Sequence, residues 1–155
     1  MVPNAYCFNS MVNAFAQAAE GAKAAAVLDR MRLASVAPDA VSFNSVVKAF
    51  GKAGSFEEAE AWLHKMEHAG LRPGVGTYMS VLSACAAEVR RGDGSPAARA
   101  AAARLLARMR SQAVQPDRGI LRLLPLLGDA SDADGEVAGY GAASPSPRPD
   151  PGTRP

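Results

Sequence analysis

Apolar side chains recur along the chain at intervals of three and four residues. In the segment FNSVVKAF, Phe43, Val46, Val47 and Phe50 have the i, i+3, i+4, i+7 spacing that places side chains on one face of an α-helix. The segment 59–66 has the same spacing, with Ala, Trp, Leu and Met at its apolar positions. The pattern therefore predicts amphipathic helices.

The helical pattern repeats with a fixed period. FNSMVNAF at 8–15 is a near copy of FNSVVKAF at 43–50, and matches at a spacing of 35 continue as far as Pro38 and Pro73. Self-similarity at such a period is the signature of stacked structural repeats. The predicted units are 5–39, 40–74 and 75–117, and 1–4 is interpreted as the end of a preceding unit.

The third unit, 75–117, is longer than the other two. Its second half aligns with that of the second unit only at a spacing of 43, so about eight residues have been inserted. We expect the insertion near 88–95 to form a loop between two helices, because loops tolerate added length at low entropic cost.

Each unit is expected to hold two helices with a break between them. In the second unit Gly54 is the predicted left-handed residue after the first helix, and Ser55 with Glu58 fits a capping box at the start of the next. In the third unit Ser95 and Pro96 fit a helix start with proline at its first position.

The end of the chain changes in composition. The segment 118–127 is expected to be a capping helix or partial repeat, whereas 128–155 is rich in Gly, Ala, Ser, Pro and Asp and is expected to be a disordered tail. Before this tail alanine is abundant, and aromatic residues make up 6% of the full sequence, which favours helix over strand. The predicted fold is all-α: an α-α superhelix, or solenoid of helical hairpins. The residues expected in its core are Phe8, Phe15, Met31, Phe43, Phe50, Trp62, Leu63, Met66 and Met109.

Charge and cysteine content exclude several classes of protein. The net charge of +2 hides a basic surplus within 5–127, which is compatible with a polyanionic partner but too weak to identify one. Cys7 and Cys85 lack the spacing of a zinc site or a disulfide framework, and we expect both to behave as small apolar residues. We find no apolar run that could span a membrane and no targeting segment at the start, MVPNAYC, and expect no membrane partner.

The repeats resemble those of the pentatricopeptide repeat family. The resemblance covers 5–117 and depends on the 35-residue period, the opening FNS or TYMS, and the closing Pro-Asp or Pro-Gly after a Met-containing second helix. It implies binding of single-stranded RNA with one nucleotide per repeat, and a mitochondrial or chloroplast location, although no transit peptide is visible. We expect a monomer without a cofactor, with other RNA-processing proteins as further candidate partners.

The resemblance also implies which residues meet each base. In the family, one position on the first helix and the last position of the same repeat read the base together. Asn with a closing Asp implies uracil, Asn with Gly a weak pyrimidine preference, and a Met no clear base identity. Carried onto this sequence, the pairs are Asn9 with Asp39, Asn44 with Gly74, and Met79 with Asp117.

Further positions follow from the same comparison. The residues that flank bases in the family correspond to Tyr6, Val41 and Gly76, of which Tyr6 is the one able to stack. Lys48 and Lys52, on the first helix of the second unit, are candidate phosphate contacts, which add affinity without sequence choice.

Other interpretations of these residues remain open. Asn9 and Asn44 could cap the first helices, because Asn is a favoured N-cap residue, and Asp39 and Asp117 could cap the helices that follow them. The alternative function is a protein–protein interaction scaffold of tetratricopeptide-like helical repeats without RNA readout.

No arrangement of residues in the sequence indicates an enzyme. The carboxylates are spread over helix surfaces and the tail instead of clustering as metal-dependent catalysis requires. His64 and His68 have metal-binding spacing but lack the HExxH arrangement, so we expect them on a solvated helix face. We therefore predict no catalytic or metal site.

Overall fold

A computed structural model of the protein describes residues 4–92 and 95–127, and every element in these ranges is an α-helix. The predicted all-α fold is confirmed. The predicted tail, 128–155, and residues 1–3 lie outside the described residues. The helices are α1 (Ala5–Gln17), α2 (Gly21–Leu33), α3 (Ala40–Lys52), α4 (Phe56–His68), α5 (Val75–Arg91), α6 (Pro96–Ser111) and α7 (Arg118–Leu127).

The helices form two layers. In one layer α1, α3, α5 and α7 pack side by side in chain order, and in the other α2, α4 and α6 each pack against the helix before and the helix after them. The layer of α1, α3, α5 and α7 is the more closely packed of the two, and we call its solvent-facing surface the inner side of these helices. This is the α-α superhelix that the sequence predicts.

The first helices begin 35 residues apart, at Ala5, Ala40 and Val75, and α7 begins 43 residues after the last of these. The expected loop at 88–95 is wrong for 88–91, which lie in α5, whereas Gly92 and Ser95 lie between α5 and α6. Helix α5 has 17 residues where α1 and α3 have 13, and α6 has 16 where α2 and α4 have 13. The residues added to α5, 88–91, include Glu88, Arg90 and Arg91, which are good helix formers, and those added to α6 begin with Pro96 at the first helical position, where proline is favoured, so the extra residues lengthen the helices.

Helix ends agree with the sequence in part. Gly54 has φ +77°, as predicted for a left-handed residue after a helix, and the side chain of Ser95 accepts a hydrogen bond from the Ala98 backbone at the start of α6. The predicted capping box at Ser55 is wrong, because with ψ at 79° its side chain makes no capping hydrogen bond.

One continuous apolar core runs between the layers. Phe43 and Trp62 meet within the second unit with ring centroids 6.1 Å apart, and seven of the nine expected core residues are buried. Phe15 and Phe50 are partly buried and pack against the core from its edge.

Helix α7 closes one end of the stack. Ile120 and Leu127 are buried, and the helix packs mainly on α5. The predicted helix at 118–127 is therefore present, with its apolar side covering α5.

Candidate nucleic-acid interface

The three first-helix candidates occupy equivalent places. Asn9, Asn44 and Met79 are each the fifth residue of their helices, α1, α3 and α5, and each is half-buried. Neither asparagine caps a helix, because Asn4 is the N-cap of α1 and Asp39 that of α3. The capping interpretation of Asn9 and Asn44 is wrong.

In the first unit, Asn9 and Asp39 are in direct contact. The Asn9 Nδ2 donates to both carboxylate oxygens of Asp39 at 3.3 Å, and its Oδ1 accepts from the Ser42 hydroxyl at 2.6 Å. A carboxylate can only accept hydrogen bonds, so the amide nitrogen must face Asp39 and the amide oxygen must face Ser42. The arrangement leaves one N–H and one lone pair of the amide free for a ligand.

Asp39 is at once the partner of Asn9 and the N-cap of α3. Its Oδ1 accepts from the Ser42 backbone N–H at 2.9 Å, and the Ser42 hydroxyl accepts from the Asp39 backbone N–H at 3.2 Å. Partial burial raises the pKa of this carboxyl, but hydrogen bonds from Ser42, Asn9 and Val41 outweigh it and hold the pKa below its ordinary value of 3.8. Asp39 is therefore an ionised acceptor at neutral pH.

The second unit keeps only half of this arrangement. Asn44 Oδ1 accepts from the Thr77 hydroxyl at 3.0 Å, as Asn9 does from Ser42. Gly74, the N-cap of α5, has no side chain to meet the Asn44 amide nitrogen. The amide is anchored at its oxygen alone.

In the third unit a methionine takes the place of the asparagine, and the closing aspartate is kept. The Met79 side chain and the Asp117 carboxylate come together over Gly119, where an added Cβ would lie 3.0 Å from Met79 Cε and 3.2 Å from Asp117 Oδ1. Asp117 accepts from the Ile120 backbone N–H at 2.9 Å, so it caps α7. Met79 provides no hydrogen-bonding group for a base edge comparable with an amide.

An open concavity of about 420 Å³ lies between α1 and α3. Half-buried Asn9 lines it, together with the flanking candidates Tyr6 and Val41, which have 78% and 59% of their surface exposed. Gly76, the third flanking candidate, is exposed on α5 and contributes no side chain. We call this hollow the α1/α3 concavity; its lining residues are Tyr6, Asn9, Ser10, Asn13, Val41 and Ser45.

The two candidate lysines continue the same face of α3. Lys48 and Lys52 follow Asn44 at i+4 and i+8, and both reach solvent, Lys52 more fully. Lys52 Nζ donates to Gln17 Oε1 on α1 at 2.9 Å, so its charge lies across the α1/α3 boundary. A positive edge therefore adjoins the α1/α3 concavity.

Sequence reasoning missed the hydroxyl partners, Ser42 and Thr77. Both look like ordinary residues of a first helical turn, yet each lies 33 residues after the asparagine that it contacts. That recurrent spacing, read in the 35-residue frame, is the signal that could have revealed them. Asn13 was missed as well, although it follows Asn9 by one helical turn.

The layer formed by α2, α4 and α6, which we call the second-helix layer, carries a different polar cluster. Arg104 pairs with Glu60 at 3.2 Å, and Arg108 pairs with Glu67 at 2.8 Å. His64 lies between the two glutamates and contacts Arg108, so the expectation of a purely solvated face is wrong for His64. These contacts join α4 to α6.

Three observations elsewhere in the described parts of the chain concern other possible sites. A larger open hollow, of about 640 Å³, lies where the turns after α4 and α6 meet. Within residues 4–92 and 95–127, no group of three or more His, Cys, Asp or Glu side chains is arranged to hold a metal ion. No helix in those ranges has the length and apolar character needed to cross a bilayer.

Solved structures of similar fold exist. The crystal structure of the pentatricopeptide repeat protein PPR10 from maize matches 79% of this chain with a TM-score of 0.66 and 27% identity. PPR10 in complex with an 18-nt psaJ RNA element matches the same share with a TM-score of 0.64 and 22% identity. The chain spans only 16% to 17% of the length of PPR10 in these matches.

Comparison with sequence families also identifies pentatricopeptide repeats. Residues 1–53 match the pentatricopeptide repeat domain and residues 38–87 match the PPR repeat family, so the two matches overlap at 38–53, in the first half of the second unit. No curated protein matches the chain. With helices repeating every 35 residues in a two-layer stack, the chain belongs to the pentatricopeptide repeat family.

Proposed function

We propose that the protein binds single-stranded RNA along the inner side of α1, α3 and α5, and selects the nucleotide that meets the first unit. Family membership and the RNA-bound PPR10 structures of similar fold support this proposal. The mechanism is occupancy of the RNA strand, without chemistry on it. The arrangement offers one reading position per unit, in line with repeat proteins in which two or three side chains meet one base.

The observation that carries the proposal is the contact of Asn9 with Asp39. Two groups 30 residues apart, one in a helix and one in a turn, are held with the Asn9 amide nitrogen 3.3 Å from both carboxylate oxygens. Asn9 lines a hollow flanked by the exposed side chains of Tyr6 and Val41, and its contact with Asp39 holds that carboxylate next to this lining residue. A base entering between these side chains would stack on Tyr6 and present its edge to the polar pair.

The chemistry of the pair favours uracil. Uracil presents a donor, N3–H, between two carbonyl oxygens, whereas cytosine presents a bare N3 acceptor. An ionised Asp39 accepts from uracil N3–H and repels the cytosine N3 lone pair, while the free N–H of Asn9 donates to a uracil carbonyl. A hydrogen bond to a charged group corresponds to roughly tenfold to hundredfold discrimination at one nucleotide.

The other two units are expected to discriminate less. Asn44 faces Gly74 and keeps an amide without a carboxylate, and Met79 offers a sulfur and a methyl group. We propose weak pyrimidine preference at the second unit and no defined preference at the third. Affinity for three nucleotides alone would be low, because stacking contributes about 1 to 3 kcal/mol per base against the cost of association.

The test is fluorescence anisotropy with short RNAs that differ at one position. A uracil-containing oligonucleotide should bind more tightly than its cytosine counterpart, and Asp39→Asn should remove that preference while keeping the helix cap, since Asn is also a good N-cap. Binding that is absent, or equal for all sequences, would instead favour a protein-interaction scaffold of helical repeats.

We further propose that the RNA belongs to a mitochondrion or chloroplast and that the protein serves its processing, stability, editing or translation. The support is membership of the pentatricopeptide repeat family. Imaging of a fluorescent fusion of the encoded protein tests the location, and a cytosolic or nuclear signal would contradict it.

A further inference from the structure

The hydroxyl groups of Ser42 and Thr77 stand in the same relation to the asparagine of the preceding unit. Ser42 donates to Asn9 Oδ1 at 2.6 Å, and Thr77 donates to Asn44 Oδ1 at 3.0 Å. Ser42 is fully buried and Thr77 is 3% exposed. A buried hydroxyl needs a hydrogen-bond partner, and here that partner is the amide at the candidate reading position.

We propose that Ser42 and Thr77 are positioning residues, which fix the orientation of the Asn9 and Asn44 amides from the following unit so that each presents its N–H to the RNA strand. This inference deepens the proposed function and rests on it. An asparagine amide turned by 180° would exchange its donor and acceptor, and would then offer the wrong group to a base. A hydroxyl next to the amide oxygen prevents this turn only if the hydroxyl donates its hydrogen to that oxygen, because an amide nitrogen in the same place could not accept it.

The backbone around Ser42 favours donation to Asn9. The Ser42 hydroxyl accepts from the Asp39 backbone N–H at 3.2 Å, which occupies a lone pair and leaves its single hydrogen to donate. That hydrogen can reach Asn9 Oδ1 at 2.6 Å or Asp39 Oδ1 at 2.9 Å. Asp39 Oδ1 already accepts from the Ser42 backbone N–H, so the shorter bond to Asn9 is preferred.

The third unit shows which residue occupies this place when there is no asparagine amide to orient. Ile120 occupies the place of Ser42 and Thr77, three residues after the unit-closing Asp117, and it is fully buried. Its backbone N–H still bonds to the Asp117 side chain at 2.9 Å, so capping does not need a hydroxyl at this place. The hydroxyl is missing where the reading residue is Met79 and has no amide to orient.

Helix capping alone does not explain Thr77. The N-cap of α5 is Gly74, which makes no side-chain capping bond, so Thr77 has no carboxylate partner of the kind that Ser42 has in Asp39. The Thr77 hydroxyl nevertheless points to Asn44. What the two hydroxyls share is therefore a hydrogen bond to the asparagine amide of the preceding unit.

The first experiment uses the RNA-free protein. Side-chain ¹⁵N relaxation of the Asn44 amide should show a lower order parameter in Thr77→Val, which keeps the volume and removes the hydroxyl, and an unchanged one in Thr77→Ser, which keeps the hydroxyl. Ser80→Ala is the matched control, because it removes a hydroxyl that bonds to the Gly76 carbonyl in its own helix. An Asn44 amide equally ordered in all variants, or equally loosened by Val and Ser, would overturn the proposal.

The second experiment measures base choice. In Ser42→Ala the preference for uracil over cytosine opposite Asn9 should fall roughly threefold to tenfold, the equivalent of one hydrogen bond, and Ser42→Thr should restore it. Urea unfolding of each variant separates this effect from lost stability. A preference unchanged in Ser42→Ala would overturn the role in specificity. If wild-type protein shows no base preference, the proposed function fails, and the amide order parameters alone decide whether the hydroxyls orient the amides.

Discussion

At the scale of single residues, the first unit concentrates two tasks in one side chain. Asp39 caps α3 through the Ser42 backbone and holds the Asn9 amide through its carboxylate oxygens. Both tasks require the ionised form, because only a carboxylate accepts all of these hydrogen bonds. Stability and the proposed base preference should therefore respond together to changes at Asp39.

Replacement of Asp39 by Ala is expected to lower the free energy of unfolding by about 1 kcal/mol at pH 7, the typical cost of a lost N-cap. The pKa of Asp39 is lower in the folded protein than its ordinary 3.8, so its stabilising contribution is present above that value and is lost as pH falls through the folded pKa. Urea unfolding should show the gap between wild type and Asp39→Ala closing below pH 3.8. If the difference in unfolding free energy between the two proteins stays constant in acid, the ionised Asp39 carboxylate is not the source of the stabilisation.

The two cysteines also differ at this scale. The sequence predicts that both behave as small apolar residues, but Cys7 is exposed on α1 and Cys85 is buried in α5. Burial, assisted by Glu60, raises the pKa of the Cys85 thiol to about 12. The expectation is therefore wrong for Cys7.

A thiol reagent such as Ellman's reagent is expected to modify one cysteine per folded chain at pH 8. Cys85 should react only after denaturation, because it is inaccessible and its thiolate is scarce. Cys7→Ser, the control, should abolish the fast reaction. Rapid reaction of two thiols in the folded protein would show that α5 is not buried as described.

At the scale of helices, the 35-residue period was sufficient to place α1 to α4, because the apolar spacing and the breaks at the unit ends recur together. It was insufficient at the insertion, since the period fixes where corresponding helices begin and not how far a helix with added residues continues. The Ser42 and Thr77 contacts also escaped prediction. A side-chain hydrogen bond between units depends on how far one helix is displaced along the next, so the recurrent 33-residue spacing marks the pairs as candidates without showing that they are in contact.

The displacement of α5 along α3 is set by a close backbone approach at Gly51. A Cβ at this position would lie 2.6 Å from the carbonyl oxygen of Ser80, and a backbone atom cannot move aside without moving its helix. Gly51→Ala is expected to destabilise the protein by about 1 to 3 kcal/mol, the usual cost of overpacking, as measured by chemical denaturation. Gly76→Ala is the matched control, because nothing lies within 4 Å of its added methyl group and alanine favours helix. Equal stability of the two variants would contradict close packing at Gly51.

At the scale of the whole molecule, the helices at 4–92 and 95–127 pack mainly on those of adjacent units, so stability and ligand binding both accumulate along the stack. The charges follow this organisation. In the second-helix layer Arg104 and Arg108 are paired with glutamates, whereas Lys48 and Lys52 lie on the α3 face that adjoins the α1/α3 concavity. The net surplus of positive charge is small, so a local effect of these lysines on a polyanion should be measurable against a weak background.

Salt dependence of RNA binding tests whether this edge meets phosphates. For single strands the logarithm of affinity falls with the logarithm of salt concentration by about 0.7 for each phosphate neutralised, so removing Lys48 and Lys52 together should make the slope shallower by roughly 1.4. Replacing both lysines with Gln should also weaken the binding of all RNAs by the same factor, because phosphate contacts carry no base information. The ratio of the affinities for uracil-containing and cytosine-containing RNA should therefore stay constant. Arg104→Gln, in the second-helix layer, is the charge-matched control for one lysine and should leave the slope unchanged. An altered base ratio in the lysine variant, or a shallower slope in Arg104→Gln, would place the RNA strand on a different face of the stack.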